Sequence, residues 1–211
     1  MLFLHETHSV MGRAEDDFEQ LFCGPDGYME RLAKDGDARL LWYLDHVHGT
    51  GPAYTVVTVT AVKDAAAWER LSRRVAAGDL RDWVGQVDQC RYDAVSKLLS
   101  PLPWSALQEI ELDDIPVSPV EHELVLFMED TAMPHAGRVH EYIEQAGRQY
   151  APSLKRSNPL LEMVGAFQPA FGTGHRREII LWQRVADNDA LDVRDQWTSR
   201  LLRTSAWSPL A

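Results

Sequence analysis

The sequence has little of what marks several protein classes. It contains only two cysteines, Cys23 and Cys90, in 211 residues, too few for a disulfide framework or a cysteine metal site. The N-terminus reaches His5 and Glu6 after a short apolar run with no basic region before it, so the sequence predicts neither a signal peptide nor a membrane span. These features predict a cytoplasmic protein with reduced cysteines.

Basic residues are also scarce. The 21 Lys and Arg residues face 32 Asp and Glu residues, for a formal net charge of −11. Such a charge repels a phosphate backbone and offers anionic lipid headgroups little attraction, so we expect no nucleic-acid or membrane partner. Glycine-rich phosphate loops and the motifs of Ser-His-Asp or Cys-His catalysis are absent too.

What the chain does contain is an internal repeat, marked by Gly49-Thr50-Gly51 and again, 123 residues later, by Gly172-Thr173-Gly174. Leu-Leu pairs followed by Trp-Ser close both copies, at Trp104 and Trp207, but the first copy reaches its Trp-Ser about 20 residues later. A repeat of this length defines one supersecondary unit per copy. We therefore predict a first repeat at 1–105 with an insertion at about 78–96, a linker at 106–121 and a second repeat at 122–211.

Each copy has the pattern strand, helix, strand, strand, helix, followed by a tail that has room for a fourth strand. Apolar alternation and β-branched runs predict the strands, and helical spacing of apolar residues predicts the helices. Asp64 and Asp187 are predicted to cap the second helix of each copy. The predicted strands are 2–9, 39–47, 53–62, 125–130, 161–168 and 178–185, and the predicted helices include 14–34, broken near Gly24-Pro25, and 138–155.

The chain resembles a tandem member of the dimeric α+β-barrel superfamily, which contains the antibiotic-biosynthesis monooxygenase-like and NIPSNAP-like domains. The resemblance rests on the strand Leu2–Glu6, the hairpin Gly49–Gly51 and the closing Leu201–Trp207, with their counterparts in the other half. It implies an α+β fold of two ferredoxin-like βαββαβ repeats whose antiparallel sheets pack into a barrel-like sandwich around a cavity. It is compatible with a monomer or a homodimer.

The resemblance also narrows the function. The first hypothesis is a small-molecule enzyme, a cofactor-independent or reduced-flavin-dependent oxygenase that acts on a planar aromatic or polyketide-like substrate. Such an enzyme would need no cofactor, or it would use reduced flavin as a cosubstrate. The alternative is a non-catalytic NIPSNAP-like ligand-binding or interaction protein, and a further alternative is a haem-binding relative. Fold analogy alone does not choose among them.

Histidines cluster in the first half and supply the candidate catalytic residues. Glu6 and His8 share a strand face, so they could form an acid–base pair at the cavity mouth, or they could be solvated strand-end residues. His46 and His48 flank the first hairpin turn, where they could act directly or be ordinary exposed polar residues. A metal site is not predicted, because the first two predicted strands end at opposite ends of one sheet.

The second half lacks these imidazoles. Counting back from the repeated turn makes Glu129 the counterpart of Glu6, with Thr131 in place of His8. We therefore expect the first half to supply polar groups and the second half an apolar wall.

Five residues are the candidate substrate-binding residues. Trp42 is a candidate for stacking on a flat ligand, because its counterpart Gly165 would leave room opposite. Tyr54 is a candidate lining residue. The wall candidates are Met163, Phe167 and Trp182, although such residues in strands are often plain core.

Overall fold

The computed structural model describes residues 1–157, 161–185 and 198–210. The predicted helix at Asp187 lies outside these residues. The strands are β1 (Leu2–Val10), β2 (Ala38–His46), β3 (Thr55–Val62), β4 (Arg91–Pro101), β5 (Leu126–Ala132), β6 (Leu161–Pro169), β7 (Ile179–Val185) and β8 (Thr198–Thr204). The helices are α1 (Glu15–Cys23), α2 (Tyr28–Leu32), α3 (Ala65–Ala77), α4 (Arg81–Cys90), α5 (Val139–Gln145) and α6 (Ala151–Ser157), with a π-helical turn at Ala146–Tyr150 between the last two.

The described strands hydrogen-bond in the order β1-β3-β2-β8-β5-β7-β6-β4, and β4 pairs with β1, so the sheet closes on itself. All these pairs are antiparallel. Each repeat supplies four consecutive strands of the ring, which confirms the predicted α+β fold of two ferredoxin-like repeats. The predicted break in the first helix is also confirmed, because α1 and α2 are separated near Gly24.

A helix cap and a β-branched run are two local sequence signals that the structure confirms. Asp64 caps α3: its Oδ1 accepts a hydrogen bond from the Ala67 amide at 2.8 Å, which satisfies one of the free N–H groups of the first turn. Strand β3 is buried along its whole length, as its run of valine and threonine predicts. It is the central strand of the first half, between β1 and β2.

Apolar side chains fill both sides of the sheet. One core lies inside the ring and contains Phe3, Trp42, Phe127 and Trp182. Two others lie between the outer sheet face and the helices, one for each repeat. The predicted linker at 106–121 is not an extended connection, because its Leu107, Leu112 and Ile115 are buried in the inner core.

The two seams of the ring are short, and the segment after the last strand of each repeat covers the open edge beside them. Only three residue pairs join β2 to β8 and three join β4 to β6. Beyond them, Ser208 Oγ accepts from the Tyr43 amide at 3.1 Å, and Ser105 Oγ accepts from the Ala166 amide at 3.1 Å. The repeated Trp-Ser segments thus complete the sheet of the opposite repeat.

The Gly-Thr-Gly turns also join the repeats. The Thr173 hydroxyl donates to the carbonyl of Leu98 in β4 or of Ala170, at 2.7 and 2.8 Å, and accepts from the Leu98 amide at 3.0 Å. Thr50 is more exposed, and its hydroxyl lies 2.7 Å from the Val47 carbonyl and 3.3 Å from the Leu201 carbonyl in β8. Each threonine therefore bonds to the last strand of the other repeat.

We predict that Thr173→Val lowers the free energy of unfolding by about 1–2 kcal/mol, because two backbone groups of Leu98 lose a polar partner. Thr50→Val is the matched control and should cost less than half as much, because Thr50 is solvated and its bond to β8 is long. Urea unfolding of both variants measures the difference. Equal costs would contradict this account of the turn.

Candidate functional site

Glu6 and His8 lie on the outer face of β1, under the helices, and not on the face that looks between the sheets. His8 is fully buried and contacts the rings of Phe18 and Phe22 in α1, with ring centroids 5.2 and 5.6 Å away. The predicted pairing of Glu6 and His8 on one face is correct, but the expected location at a cavity between the sheets is wrong. The helix layer therefore contributes to the site.

His8 is held as a neutral imidazole. Its Nδ1 lies 2.9 Å from Arg91 Nη1, and its Nε2 lies 3.0 Å from Thr58 Oγ1. Because a guanidinium only donates, Nδ1 accepts, and the neutral ring donates from Nε2 to Thr58. Burial and the charge of Arg91 lower the pKa of His8 to about 3, so His8 does not take up a second proton to become an imidazolium near neutral pH. Its role is to hold Arg91.

A cavity of about 240 Å³ lies between the outer face of the first half-sheet and its helices. We call it the first-repeat pocket. Its walls include the aromatic rings of Phe22, Tyr28, Trp68 and Trp83. The rings of Tyr28 and Trp83 are stacked, with centroids 4.4 Å apart and planes at 10°. Flat apolar walls of this kind favour a flat apolar ligand.

The insertion in the first repeat builds one side of this pocket. It contains α4, whose Trp83, Val84 and Val87 line the cavity, and the start of β4. The Trp83 indole donates to the Leu21 carbonyl at 2.7 Å, which anchors α4 to α1. The second repeat has no such insertion by sequence, and the asymmetry between the repeats therefore coincides with the pocket.

The polar end of the pocket is formed by Glu6, Arg91 and Ser96. Glu6 Oε1 accepts from the Ser96 hydroxyl at 2.8 Å. Burial raises the pKa of Glu6, while the hydrogen bond from Ser96 and the positive charge of Arg91 oppose that rise. The balance gives a carboxyl group that exchanges its proton closer to neutral pH than an ordinary glutamate does. This combination makes Glu6 the candidate acid or base.

His46 and His48 lie elsewhere, in a second cavity of about 450 Å³ at the β2–β3 hairpin. This hairpin pocket also contains Tyr54 and Asp45, and none of its lining residues is shared with the first-repeat pocket. Tyr54 has a positive φ of 57° and its ring covers Gly12, where a Cβ would lie 2.5 Å from it. The structure therefore does not bring together the four predicted catalytic residues.

The hairpin pocket has its own electrostatics. Burial and the charge of Arg200 lower the pKa of His46, while Glu129 opposes them. Burial and the neighbouring Glu19 and Glu15 raise the pKa of Asp45 to about 6. Both ring nitrogens of His46 are buried without a hydrogen-bond partner among the residues that the structure describes.

The predicted aromatic wall is part of the barrel interior, where it forms packed core. Trp42 and Trp182 contact each other with ring centroids 5.4 Å apart, and Phe167 lies in the same core. Gly165 does not leave the expected room, because a Cβ there would lie 2.7 Å from the Phe167 ring. Met163 packs on the helix side. These residues do not line the first-repeat pocket.

An interior polar network was missed by sequence reasoning. His5 Nε2 lies 2.7 Å from Glu129 Oε2, and Glu129 also accepts from Arg200 Nε at 3.1 Å. Arg200 Nη1 in turn donates to Thr7 Oγ1 at 3.2 Å. Burial alone would raise the pKa of Glu129, but His5 and Arg200 lower it to about 2. The network is a buried ionic contact between the two repeats.

The missed network results from a one-residue error in aligning β1 with β5. Counting back from the turn aligns Glu6 with Glu129. In the sheet, however, Glu129 lies opposite Trp182, and Trp182 is the counterpart of Val59. The residue opposite Val59 is His5. The structural counterpart of Glu129 is therefore His5. Since neighbouring strand residues face opposite sides, the shift moves Glu129 into the barrel.

The corrected alignment makes Asp130 the counterpart of Glu6. Asp130 is fully buried under the second helix layer, and its Oδ2 accepts from Gln183 Nε2 at 2.8 Å. Tyr150 in turn donates to Gln183 Oε1 at 3.0 Å. Where Glu6 faces a cavity, Asp130 is enclosed by protein groups, so the carboxyl in the second repeat is structural.

Two further observations bear on ligands and location. Among the described residues, no group of three or more His, Cys, Asp or Glu side chains is placed to hold a metal ion. In that same part of the chain, every helix is too short or too polar to cross a membrane.

We predict that His8 makes stability depend on pH. Its folded pKa of about 3 lies below the ordinary 6.5, so between these values the unfolded chain binds one more proton and stability falls as the pH falls. Between pH 6.5 and pH 5 the wild type should lose about 1.5 kcal/mol more than His8→Gln does. Urea unfolding at both pH values measures this, and parallel losses would contradict it.

Comparisons with known proteins identify the fold. No protein-family model matches the sequence, and no curated protein matches it either. The solved structures that are similar over nearly the whole chain include a candidate monooxygenase from Lactobacillus acidophilus (TM-score 0.58, 12% identity, covering 97% of this chain and 94% of that one). They also include a candidate monooxygenase from Fusobacterium nucleatum (TM-score 0.60, 9% identity, covering 96% and 91%) and an anthrone oxidase-like protein (TM-score 0.52, 7% identity, covering 97% and 91%).

These neighbours are too distant to assign an activity, but they agree on architecture. The chain shares the overall fold of these structures, which agrees with the fold that the sequence resemblance implies. In this tandem form one polypeptide supplies both sheets of the barrel.

Proposed function

We propose that this protein is a small-molecule oxygenase whose active site is the first-repeat pocket. The observation that carries the proposal is Glu6, a carboxyl group with a raised pKa at the polar end of an aromatic-walled cavity. The similarity to candidate monooxygenases and to an anthrone oxidase-like protein supports the reaction class. The substrate would be a planar aromatic or polyketide-like molecule.

The shape of the pocket supports a planar substrate. Phe22, Trp68 and the stacked Tyr28–Trp83 pair present ring surfaces, and ring–ring contact contributes about 0.5–1.5 kcal/mol beyond burial of the same area. A volume of about 240 Å³ lies somewhat below the roughly 300–1,000 Å³ of pockets for drug-sized ligands. The pocket therefore suits a compact, rigid substrate that leaves little space for water.

Glu6 would begin the chemistry by removing a proton from an acidic C–H group of the substrate. The resulting carbanion gives an electron to O2, the two radicals combine into a peroxide, and loss of water from the peroxide leaves a carbonyl. A CH2 group and O2 are thus converted to C=O and H2O, with no external reductant. If the substrate carbanion is too weak a reductant, reduced flavin as a cosubstrate would supply two electrons for the second oxygen atom.

A binding protein without turnover is the second candidate. The observation that favours it is that Ser96, the hydrogen-bond partner of Glu6, is exposed to solvent, so water reaches the polar end of the pocket. Oxygenation through a carbanion requires that water be largely excluded. In this case the pocket would bind the same planar ligand and leave it unchanged.

Oxygen uptake with anthrone as the probe tests the proposal. The wild type should consume one O2 for each anthrone and produce anthraquinone, and Glu6→Gln should lower the rate by about 100-fold, the effect of losing a general base. Glu69→Gln, on the exposed face of α3, is the matched control and should keep the full rate. Full turnover by Glu6→Gln would overturn the role of Glu6. Binding of anthrone without oxygen uptake would favour the binding protein.

A further inference from the structure

Arg91 has hydrogen-bonding capacity that the protein does not use. Its Nε and Nη2 donate to Asp88 Oδ1 at 3.0 and 2.6 Å, and its Nη1 donates to His8 Nδ1 at 2.9 Å. A guanidinium has five N–H groups, so these bonds occupy three of them. The remaining two, one on each terminal nitrogen, have no hydrogen-bond partner among the described residues.

These two donors belong to a side chain that lines the first-repeat pocket. The Arg91 side chain is only 17% exposed, so most of the guanidinium lies within the protein. Its positive charge faces two carboxyl groups, Asp88, which is 57% exposed, and Glu6, whose pKa is raised by burial, while His8 is neutral. A partly desolvated cation with free donors in an apolar pocket favours an anionic partner.

We infer that the first-repeat pocket takes its planar aromatic ligand as an anion, a carboxylate, phenolate or enolate, whose oxygen atoms bind Arg91. Guanidinium groups bind two oxygen atoms in one plane especially well, and an ammonium does not reproduce that geometry. Arg91 is thus the specificity-determining residue of the pocket. This inference rests on the proposed function only in that both require the pocket to be a ligand site.

Asp88 and His8 are positioning residues for Arg91. Asp88 holds the Nε side of the guanidinium from the last turn of α4, and His8 holds Nη1 from β1. The buried, neutral imidazole can only accept at Nδ1, so it fixes the guanidinium plane without competing for its charge. His8 and Asp88 therefore serve substrate recognition through Arg91, and Glu6 is the group that transfers protons.

The test is a binding comparison between 2-naphthoate and 2-naphthamide, which share a ring system and differ in charge. Quenching of the tryptophan fluorescence, to which Trp68 and Trp83 contribute, reports binding. We expect the wild type to bind naphthoate at least tenfold more tightly than naphthamide at pH 7. Arg91→Gln should remove this preference while binding of naphthamide changes less than twofold, and Arg91→Lys should restore only part of it.

The outcomes separate this inference from the proposed function. If both probes bind with equal affinity, or if Arg91→Gln keeps the preference, the anion inference is wrong while the pocket remains a ligand site. If neither probe binds the wild type, the anion inference is wrong, and the anthrone measurement decides the proposed function separately. Oxygen uptake with anthrone by wild type and Arg91→Gln adds an independent measurement of the function.

Two further variants, one control and one positioning variant, test the assignment to Arg91. Arg73→Gln removes an exposed arginine that pairs with Glu69 on α3, and it should keep the full preference for naphthoate. Asp88→Asn weakens the support of Arg91 but leaves the guanidinium in the pocket, so the preference should be reduced and not lost. Loss of the preference in Arg73→Gln would overturn the assignment to Arg91.

Discussion

The structure depends on the hydrogen bonds that each repeat makes with the other. The two half-sheets meet at only three residue pairs per seam, and each open edge beyond a seam is satisfied by the closing segment of the opposite repeat. Ser105 bonds to Ala166 in β6, and Ser208 bonds to Tyr43 in β2. Without these partners, buried backbone N–H groups would lack acceptors, at a cost of about 1–3 kcal/mol each. The ring is closed by this exchange as much as by strand pairing.

Inside the ring, hydrogen bonds of polar and charged side chains also join the two repeats. His5 and Glu129 occupy equivalent positions in the two repeats, and they form a hydrogen bond across the barrel. Glu129 also accepts from Arg200, so its buried carboxylate has a partner from each repeat. Aromatic packing around Trp42 and Trp182 and this network occupy the described part of the interior, whereas the first-repeat pocket lies outside the ring.

Much of the fold could be predicted from the sequence, because its signals are local. The β-branched run of β3, the cap at Asp64 and the repeated Gly-Thr-Gly turns each identify their own element or register. The repeated Trp-Ser segments also revealed the insertion, which encloses the pocket through Trp83. The sequence therefore predicts the order of the strands and helices and the position of the insertion that distinguishes the first repeat from the second.

The site was predicted less well, because it depends on which face of a strand meets which layer. Aligning β5 with β1 one residue out of register assigns each side chain of β5 to the wrong face of the sheet. For that reason the sequence did not reveal the contact between His5 and Glu129. An irregularity in β2 between Leu40 and Trp42 has a similar effect and turns Leu40 toward the helices. The pocket itself is a product of tertiary packing, since α4 is brought over Glu6 by contacts distant in sequence.

The single insertion has a consequence for how such a protein can change. In a symmetric dimer of identical chains, every mutation occurs twice, and a helix added to one half must be accommodated by both. Joining two copies in one chain removes that constraint. Here one half has α4 and a cavity beside Glu6, while the other encloses its equivalent Asp130 with Gln183. Because both copies belong to one chain, the two halves of the ring can differ in this way while sharing one closed sheet.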